Sequence, residues 1–141
     1  PCHYIGQVIW APLPAPFHHL ADPLVQQSVE FLAERAAVFR QRRDLVVDRL
    51  NMCAGLTCRR PEGAFYVFAS CAGTIGKKTP SGDTIETDLD FAAFLLDEAQ
   101  VAVVPGTAFG LAPYFRVSYA TSTEALEEAC DRIEAACAKL V

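Results

Sequence analysis

An arginine inside an apolar segment is the strongest candidate for chemistry in this chain. Arg116 stands within Phe115–Ala120, a run of otherwise apolar and small residues. Removing a permanent positive charge from water is costly unless an anion meets it, so one interpretation is an anion-binding residue. The other is that Arg116 faces solvent from a half-exposed strand or pairs with an internal acid. The pattern alone does not choose between them.

Three other arrangements that suggest chemistry fail on their spacing. Residues Gly73–Thr79 are similar to a phosphate-binding loop, but the glycines are too close together and Lys78 stands where a Ser or Thr is required. Adjacent His18 and His19 point in different directions and no third ligand is evident, so we predict no metal site. All three histidines lie in the first 19 residues, which leaves Ser-His-Asp and Cys-His arrangements without support.

The composition is typical of a single folded domain. The 141 residues are 52% hydrophobic and 21% charged, with a formal charge of −5 from 17 acidic and 12 basic side chains. Such a chain buries a sizeable core. The basic residues form no stripe with interleaved aromatics, so we predict no nucleic-acid partner. No apolar run approaches the roughly 20 residues that cross a bilayer, so we expect no membrane contact and a cytoplasmic protein.

Six cysteines raise the question of disulfides. Cys130 and Cys137 are seven residues apart and share their helical spacing with Leu126, Ile133 and Leu140, as small buried hydrophobes do. No Cys-x-x-Cys pair occurs. We therefore expect six reduced thiols, mostly in the core, and no zinc site.

Helices and strands alternate along the chain after a proline-rich beginning. We expect residues 1–26 to form an irregular arm and residues 27–141 to form one domain. An amphipathic pattern that starts at Pro23 predicts a helix to about Asn51. The later elements are a strand at 64–69, an exposed loop or flap at 72–88, a helix from Thr87 or Asp88 to about Ala99, strands at 101–104 and 114–119, and a final helix opened by a capping box at Thr121–Glu124. The predicted order is αβαββα, an α/β (α+β) fold in which helices pack on a small sheet.

Four motifs occur in an order that is typical of one family. They are Arg42-Arg43-Asp44, then Pro61 to Tyr66, then Val103 to Gly106 with Phe109-Gly110, and last Phe115 to Ala120. The stretch from about Phe31 to Leu140 resembles the small domain of class I, aspartate aminotransferase-type enzymes of pyridoxal-phosphate fold type I. The resemblance therefore implies the C-terminal small domain of such an enzyme.

The resemblance also implies a role for Arg116. In that family the arginine of the last motif binds the α-carboxylate of the amino-acid or keto-acid substrate. A planar guanidinium suits the task because it holds both carboxylate oxygens at once. Phe65 and Tyr66 would lie near the substrate mouth, although the residues alone allow Phe65 and Phe109 to be core aromatics. Gly106 would permit a turn or a close approach of the backbone.

The cofactor of the family would be held elsewhere. Family enzymes attach pyridoxal phosphate to a Schiff-base lysine in a large domain that precedes this region. The only lysines here are Lys77, Lys78 and Lys139, and none stands in a similar motif. We therefore expect pyridoxal phosphate in a full-length parent, none bound to this chain, and no catalytic residue in this chain, which would be an inactive fragment.

Two functions follow as hypotheses. In the first, the parent transfers an amino group between an amino acid and a 2-keto acid, with aspartate, aromatic and broad-range substrates all left open. Family members are usually homodimers, so we expect a homo-oligomer, and self-association through the apolar arm residues Ile9, Trp10, Leu13 and Phe17. In the second, the chain is a stand-alone carboxylate-binding or interaction module with the same fold.

Overall fold

Two helices pack on a four-stranded antiparallel sheet, and a third helix packs against both of them. The computed structural model describes the backbone of residues 23–141 and the side chains of residues 31–141. The elements are α1 (Pro23–Met52), β1 (Thr57–Cys58), β2 (Tyr66–Ser70), α2 (Asp88–Ala99), β3 (Val104–Pro105), β4 (Tyr114–Ser118) and α3 (Thr123–Cys137). The strands lie in the order β1-β2-β4-β3. The predicted α/β (α+β) class of helices on a small sheet is confirmed.

The two faces of the sheet differ in burial. The central pair is antiparallel, with Val67 opposite Val117 and Phe68 opposite Arg116. Successive side chains of a strand point to opposite faces, so paired residues share a face. Val67 and Phe115 are 1% and 0% exposed and lie under the helices, whereas Phe68 and Arg116 are half-buried on the other side. We call the second side the open face.

The helices bury the stripes that their sequences predict, with one exception. α2 begins at the N-cap Thr87, whose capping box with Asp90 satisfies the first backbone donors. The cysteine and aliphatic stripe of α3 is buried throughout, as predicted. In α1 the residues near its C-terminal end, such as Leu50, are buried, but Leu32 is 64% exposed. The reason is length: thirty residues span about 45 Å, while the strands of β2 and β4 have only five residues each.

Some local predictions were wrong. The order is αββαββα, because the two-residue strand β1 was not predicted. Of the predicted strand at 101–104, only Val104 pairs with β4, together with Pro105, which follows the predicted strand. Ser122 rather than Thr121 caps α3, its hydroxyl accepting a hydrogen bond from the Ala125 N–H. The flap at 72–88 is anchored rather than loose, since Thr74 and Ile85 within it are buried.

Part of the sequence interpretation concerns residues that the structure does not describe. Residues 1–22 of the predicted arm, with its apolar residues, Cys2 and both adjacent histidines, lie outside the described residues, whereas residues 23–26, also predicted to be irregular, belong to α1. The division of the chain into arm and domain stays a prediction. No helix in the described part of the chain is long and apolar enough to span a membrane.

The described cysteines are free thiols in the core, at Cys53, Cys58, Cys71, Cys130 and Cys137. Burial raises the pKa of Cys58, of Cys71 and of Cys130 to about 11, from an ordinary value of 9.0. The folded state thus disfavours the thiolate. A group whose pKa is raised by folding stabilises the fold fully below its unfolded pKa and loses that contribution as the pH rises through its folded pKa.

We therefore expect the free energy of unfolding to fall between about pH 9 and pH 11, by on the order of 1 kcal/mol for each buried thiol. Urea unfolding at pH 8, 9, 10 and 11 measures this. Other groups titrate in the same range, so the matched comparison is Cys71→Ala, which removes one thiol and should flatten the slope. An identical slope in wild type and Cys71→Ala would contradict the prediction.

Candidate functional site

Arg116 lies in the middle of the open face, between two strands. In β4 it pairs with Phe68 of β2 on one side and with Val104 of β3 on the other. Its strand neighbours point the other way, and Phe115 among them is fully buried. Pairing on both sides fixes the backbone of Arg116, so its side chain projects from a rigid strand rather than from a loop.

Two aromatic rings flank the guanidinium of Arg116. Its Cζ lies 5.4 Å from the ring centroid of Tyr66 and 4.6 Å from that of Phe109. Both distances are typical of cation–π contacts, which stabilise a positive charge without neutralising it. Within residues 31–141 no carboxylate pairs with Arg116. The internal acid that the sequence left open is therefore not found in the described part of the chain.

This environment suits the binding of a planar anion. A guanidinium carries five N–H donors in its own plane and none on its faces. None of these donors has a hydrogen-bond partner among the described residues, and two of them at one edge are suited to the two oxygens of a carboxylate. The arrangement can thus hold and orient a carboxylate.

The rings form a continuous row across the open face. The pairs Phe65–Tyr66, Tyr66–Phe68 and Phe68–Phe109 have centroid distances of 5.5, 5.8 and 5.5 Å and interplanar angles of 83° to 89°. These are edge-to-face contacts, in which the positive ring edge meets the negative face. Phe65 is 56% and Phe109 49% exposed. The alternative that these two are core aromatics is wrong; sequence reasoning missed that Phe109 is a ring partner of Arg116.

A strained turn positions Tyr66 beside Arg116. Ala64 has a φ of 71°, in the left-handed region that favours glycine, whereas Gly63 before it does not. The backbone N–H of Tyr119 donates to Phe65 O at 2.8 Å, and its buried hydroxyl donates to Ala64 O, also at 2.8 Å. Burial raises the pKa of Tyr119, so the hydroxyl stays a donor. The end of β4 therefore holds the segment that carries the rings.

A second turn positions Phe109. It is a 3-10 turn, Gly106–Phe109, closed by hydrogen bonds from Gly110 N to Thr107 O and from Leu111 N to Gly106 O, both of 3.0 Å. A Cβ on Gly106 would lie 2.0 Å from Leu111 O. The predicted close approach at Gly106 is thus confirmed, and its cause is the fold of the turn onto the segment that follows it.

The turn is also tied to α2 by a buried carboxylate. Asp88 is 1% exposed and accepts hydrogen bonds from the Thr107 N–H at 2.7 Å and from the Thr107 hydroxyl at 2.6 Å. Burial works against its ionisation, but these bonds and those from nearby backbone N–H groups outweigh it and hold the pKa of Asp88 below its ordinary value. The sequence suggested Asp88 only as an alternative helix cap, a role that Thr87 fills.

A groove runs along the open face beside this site. Its volume is about 500 Å³, and its walls are mainly apolar. It shares Tyr66 and Phe68 with the ring row, and Arg59, Leu111 and Tyr114 also line it. Arg59 and Arg60 stand at its β1 end, where Arg60 is paired with Asp44 and Asp48.

No lysine of the described chain takes part in this site. Lys139 forms an ion pair with Glu98 of α2 at 3.0 Å, on the helix side of the sheet. Lys77 and Lys78 belong to the flap, where the backbone of Lys78 pairs with that of Val141. None of the described lysines therefore places an amine that could form a Schiff base beside the ring row or beside Arg116.

Comparison with known proteins gives one consistent result. The family model for aminotransferase class I and II matches residues 14–133. An aspartate aminotransferase of Rhizobium meliloti (strain 1021) is 62% identical over 111 residues, which are 79% of this chain and 27% of that protein. An aspartate/prephenate aminotransferase of Cereibacter sphaeroides is 56% identical over 111 residues, 79% of this chain and 28% of that protein. The chain spans about a quarter of the length of these relatives.

Solved structures agree. A crystal structure of the aspartate aminotransferase from Rhizobium meliloti superposes with a TM-score of 0.78 at 62% identity, over 79% of this chain and 28% of that one. An aromatic aminotransferase from Pyrococcus horikoshii gives a TM-score of 0.65 at 40% identity, over 77% and 27% of the two chains.

Replacing Gly106 should damage both the fold and the site. Gly106→Ala forces a methyl group against backbone oxygen that cannot give way, so we expect a loss of about 1–3 kcal/mol in the free energy of unfolding. Ala108→Gly, an exposed change in the same turn, is the matched control and should cost at most about 1 kcal/mol. Chemical denaturation measures both. Equal stability of the two variants would mean that the close approach at Gly106 is not a constraint.

Proposed function

Since the chain belongs to the family of class I and II aminotransferases, we propose that it forms the C-terminal part of an enzyme that transfers an amino group between an amino acid and a 2-keto acid. The family depends on pyridoxal phosphate. The relatives are named aspartate aminotransferases, and we propose the same activity for the full-length parent enzyme, with aspartate as the amino donor.

The observation that carries the proposal is the state of Arg116. Its guanidinium is half-buried and lies against two rings, and none of the described acidic side chains pairs with it. We assign it the α-carboxylate of the substrate. Both substrate types, the amino acid and the keto acid, carry this group, so one arginine serves both halves of the reaction. Two parallel hydrogen bonds also fix the plane of the carboxylate and the position of the Cα attached to it.

Tyr66 and Phe65 form the mouth of the substrate site in this proposal. Tyr66 contacts Arg116 directly, and Phe65 contacts Tyr66 and is more than half exposed. Rings at this position exclude water from one side of the ion pair, which strengthens it. Because every amino acid carries an α-carboxylate, Arg116 does not select the side chain, and aspartate as the donor rests on the relatives alone.

The described residues do not fit pyridoxal phosphate. A Schiff-base cofactor needs a lysine amine near the substrate, and the described lysines lie in the flap or in an ion pair on the helix side. We therefore propose that the parent binds the cofactor through residues other than these, and we assign no step of the reaction through it here. We also propose a cytoplasmic homodimer as the parent; the free buried thiols agree with a reducing compartment.

A second candidate is a stand-alone carboxylate-binding or interaction module. The groove of about 500 Å³ beside Arg116 favours it, since its apolar walls suit a ligand or peptide of that size. The mass of the natural protein discriminates between the two. A natural chain of about 400 residues, several times the size of a single domain, supports the enzyme.

Replacing Arg116 in the parent tests its role. Arg116→Lys keeps the charge but loses the second coplanar hydrogen bond, and Arg116→Ala loses both. Losing one partner of a buried charged pair costs on the order of 2–5 kcal/mol, so kcat/KM should fall roughly thirty- to several-thousand-fold. The absorbance of the bound cofactor should change little. Arg132→Lys, an exposed change on α3, is the control, and near-normal turnover in both Arg116 variants would sink the assignment.

Mixing this chain with pyridoxal phosphate tests the cofactor part of the proposal. Because no described lysine lies near Arg116, we expect only weak adducts, spread over the amines. Borohydride reduction followed by peptide mass spectrometry measures them. A stoichiometric adduct at one lysine, together with transaminase turnover, would mean that the chain holds its own cofactor site.

A further inference from the structure

The first residue of α2, Asp88, is a buried carboxylate that helix capping does not require. Thr87 and Asp90 already cap this helix, with Asp90 accepting from the Glu86 and Thr87 N–H groups. Asp88 instead turns inward, where both of its oxygens bind Thr107. Burying a carboxylate is expensive unless hydrogen bonds or an opposite charge compensate for the lost hydration. Its target, Thr107, belongs to the turn that carries Phe109.

The turn couples the positions of Thr107 and Phe109, which both belong to it. Thr107 O accepts from Gly110 N, and Gly106 O accepts from Leu111 N, so both ends of the turn are closed around the two residues. Gly106 has no free space around it. A short turn closed in this way moves as one body, and a shift of Thr107 therefore moves Phe109 with it.

Phe109 in turn touches Arg116. Its ring centroid lies 4.6 Å from the guanidinium carbon, closer than that of Tyr66 at 5.4 Å. Phe109 is 49% exposed, so core packing does not fix the ring. Its position depends on its edge contact with Phe68 at 5.5 Å and on the turn from which it projects.

We infer that Asp88 is a positioning residue for Arg116: through its two hydrogen bonds to Thr107 it sets the Gly106–Phe109 turn, and through Phe109 it orients the guanidinium. The effect on carboxylate binding rests on the proposed function of Arg116, whereas the effect on the position of Arg116 does not. Asp88 contacts no substrate in this scheme.

The negative charge of Asp88 strengthens its hydrogen bonds to Thr107. Hydrogen bonds from Thr107 hold its pKa below the ordinary value in spite of its burial. It is therefore ionised at neutral pH, and as a charged acceptor it makes stronger bonds than a neutral amide would. Asp88→Asn removes the charge and turns one oxygen into an NH2 donor, so the Thr107 hydroxyl has to change from donor to acceptor and both bonds become weaker, neutral ones. Thr107→Val removes only the hydroxyl bond, and Thr107→Ser keeps both bonds.

The direct test is the 15N–1H resonance of the Arg116 Nε–Hε group in the isotope-labelled 141-residue chain. A ring at 4.6 Å shifts this signal, so Phe109→Leu must move it and proves that the readout works. We expect Asp88→Asn and Thr107→Val to move it in the same direction as Phe109→Leu, and Thr107→Ser to leave it in place. Asp90→Asn is the matched control: it is the same substitution on the same helical turn, exposed, and should lower stability without moving the signal.

The functional readout is steady-state kinetics of the parent with aspartate. A misplaced guanidinium weakens carboxylate binding, so in Asp88→Asn we expect KM to rise on the order of tenfold while kcat changes less. A merely structural role would lower the amount of folded enzyme and leave KM unchanged. Thr107→Ser should restore the KM that Thr107→Val raises.

Two outcomes separate the inference from the proposed function. If Asp88→Asn and Thr107→Val leave the Arg116 resonance unmoved while Phe109→Leu shifts it, the positioning role of Asp88 is overturned, whatever the role of Arg116. If both variants move the resonance but Arg116→Lys has normal kcat/KM, positioning stands and the carboxylate assignment fails. Should Asp88→Asn not fold, Thr107→Val with its Thr107→Ser rescue decides the question alone.

Discussion

A guanidinium on the half-buried face of a sheet needs a partner for its charge, and Arg116 meets rings where a carboxylate would be the usual partner. Tyr66 comes from β2, and Phe109 comes from the turn after β3. The register of β2 against β4 and the closure of that turn must therefore both be correct for the two rings to contact one cation. Among the described residues the N–H donors of Arg116 have no hydrogen-bond partner. The two rings therefore hold the guanidinium in place, and its N–H groups can still bind an anion.

The helices matter to this site because they occupy the other face of the same strands. Phe115, next to Arg116 in sequence, is completely buried, and Phe91 of α2 lies 5.2 Å from it between ring centroids. Burial of residues such as these fixes β4 against α2. The same helix carries Asp88, which reaches the turn of Phe109. The core thus sets the distance between the strand that supplies the charge and the turn that supplies a ring.

Much of the fold could be predicted from residue periodicity, and the failures have physical causes. Thr87 as a helix cap and Phe91 and Leu95 as a buried stripe follow from local patterns of polar and apolar residues. β1 was missed because two residues cannot display a period. Leu32 matches the apolar stripe of α1 but remains exposed, because a periodic pattern does not reveal where the partner surface ends.

The same limit applies to the site. Arg116 stands out in the sequence because its charge interrupts an apolar segment, but the pattern left two interpretations open, and its assignment to a carboxylate came from the family resemblance and stays a prediction. Phe109 and Asp88 could not be predicted, because their roles depend on a turn that joins residues 19 positions apart in the chain. An exposed phenylalanine and a helix-start aspartate have ordinary local explanations, and neither residue type signals a long-range partner.

A sheet with one packed face and one open face separates the residues that carry stability from those that meet solvent. A substitution on the helix side alters close-packed contacts and therefore lowers stability. A substitution on the open side leaves those contacts in place, so residues there can change with little effect on the fold. Alternating side chains along two five-residue strands are enough to separate the two sets of positions.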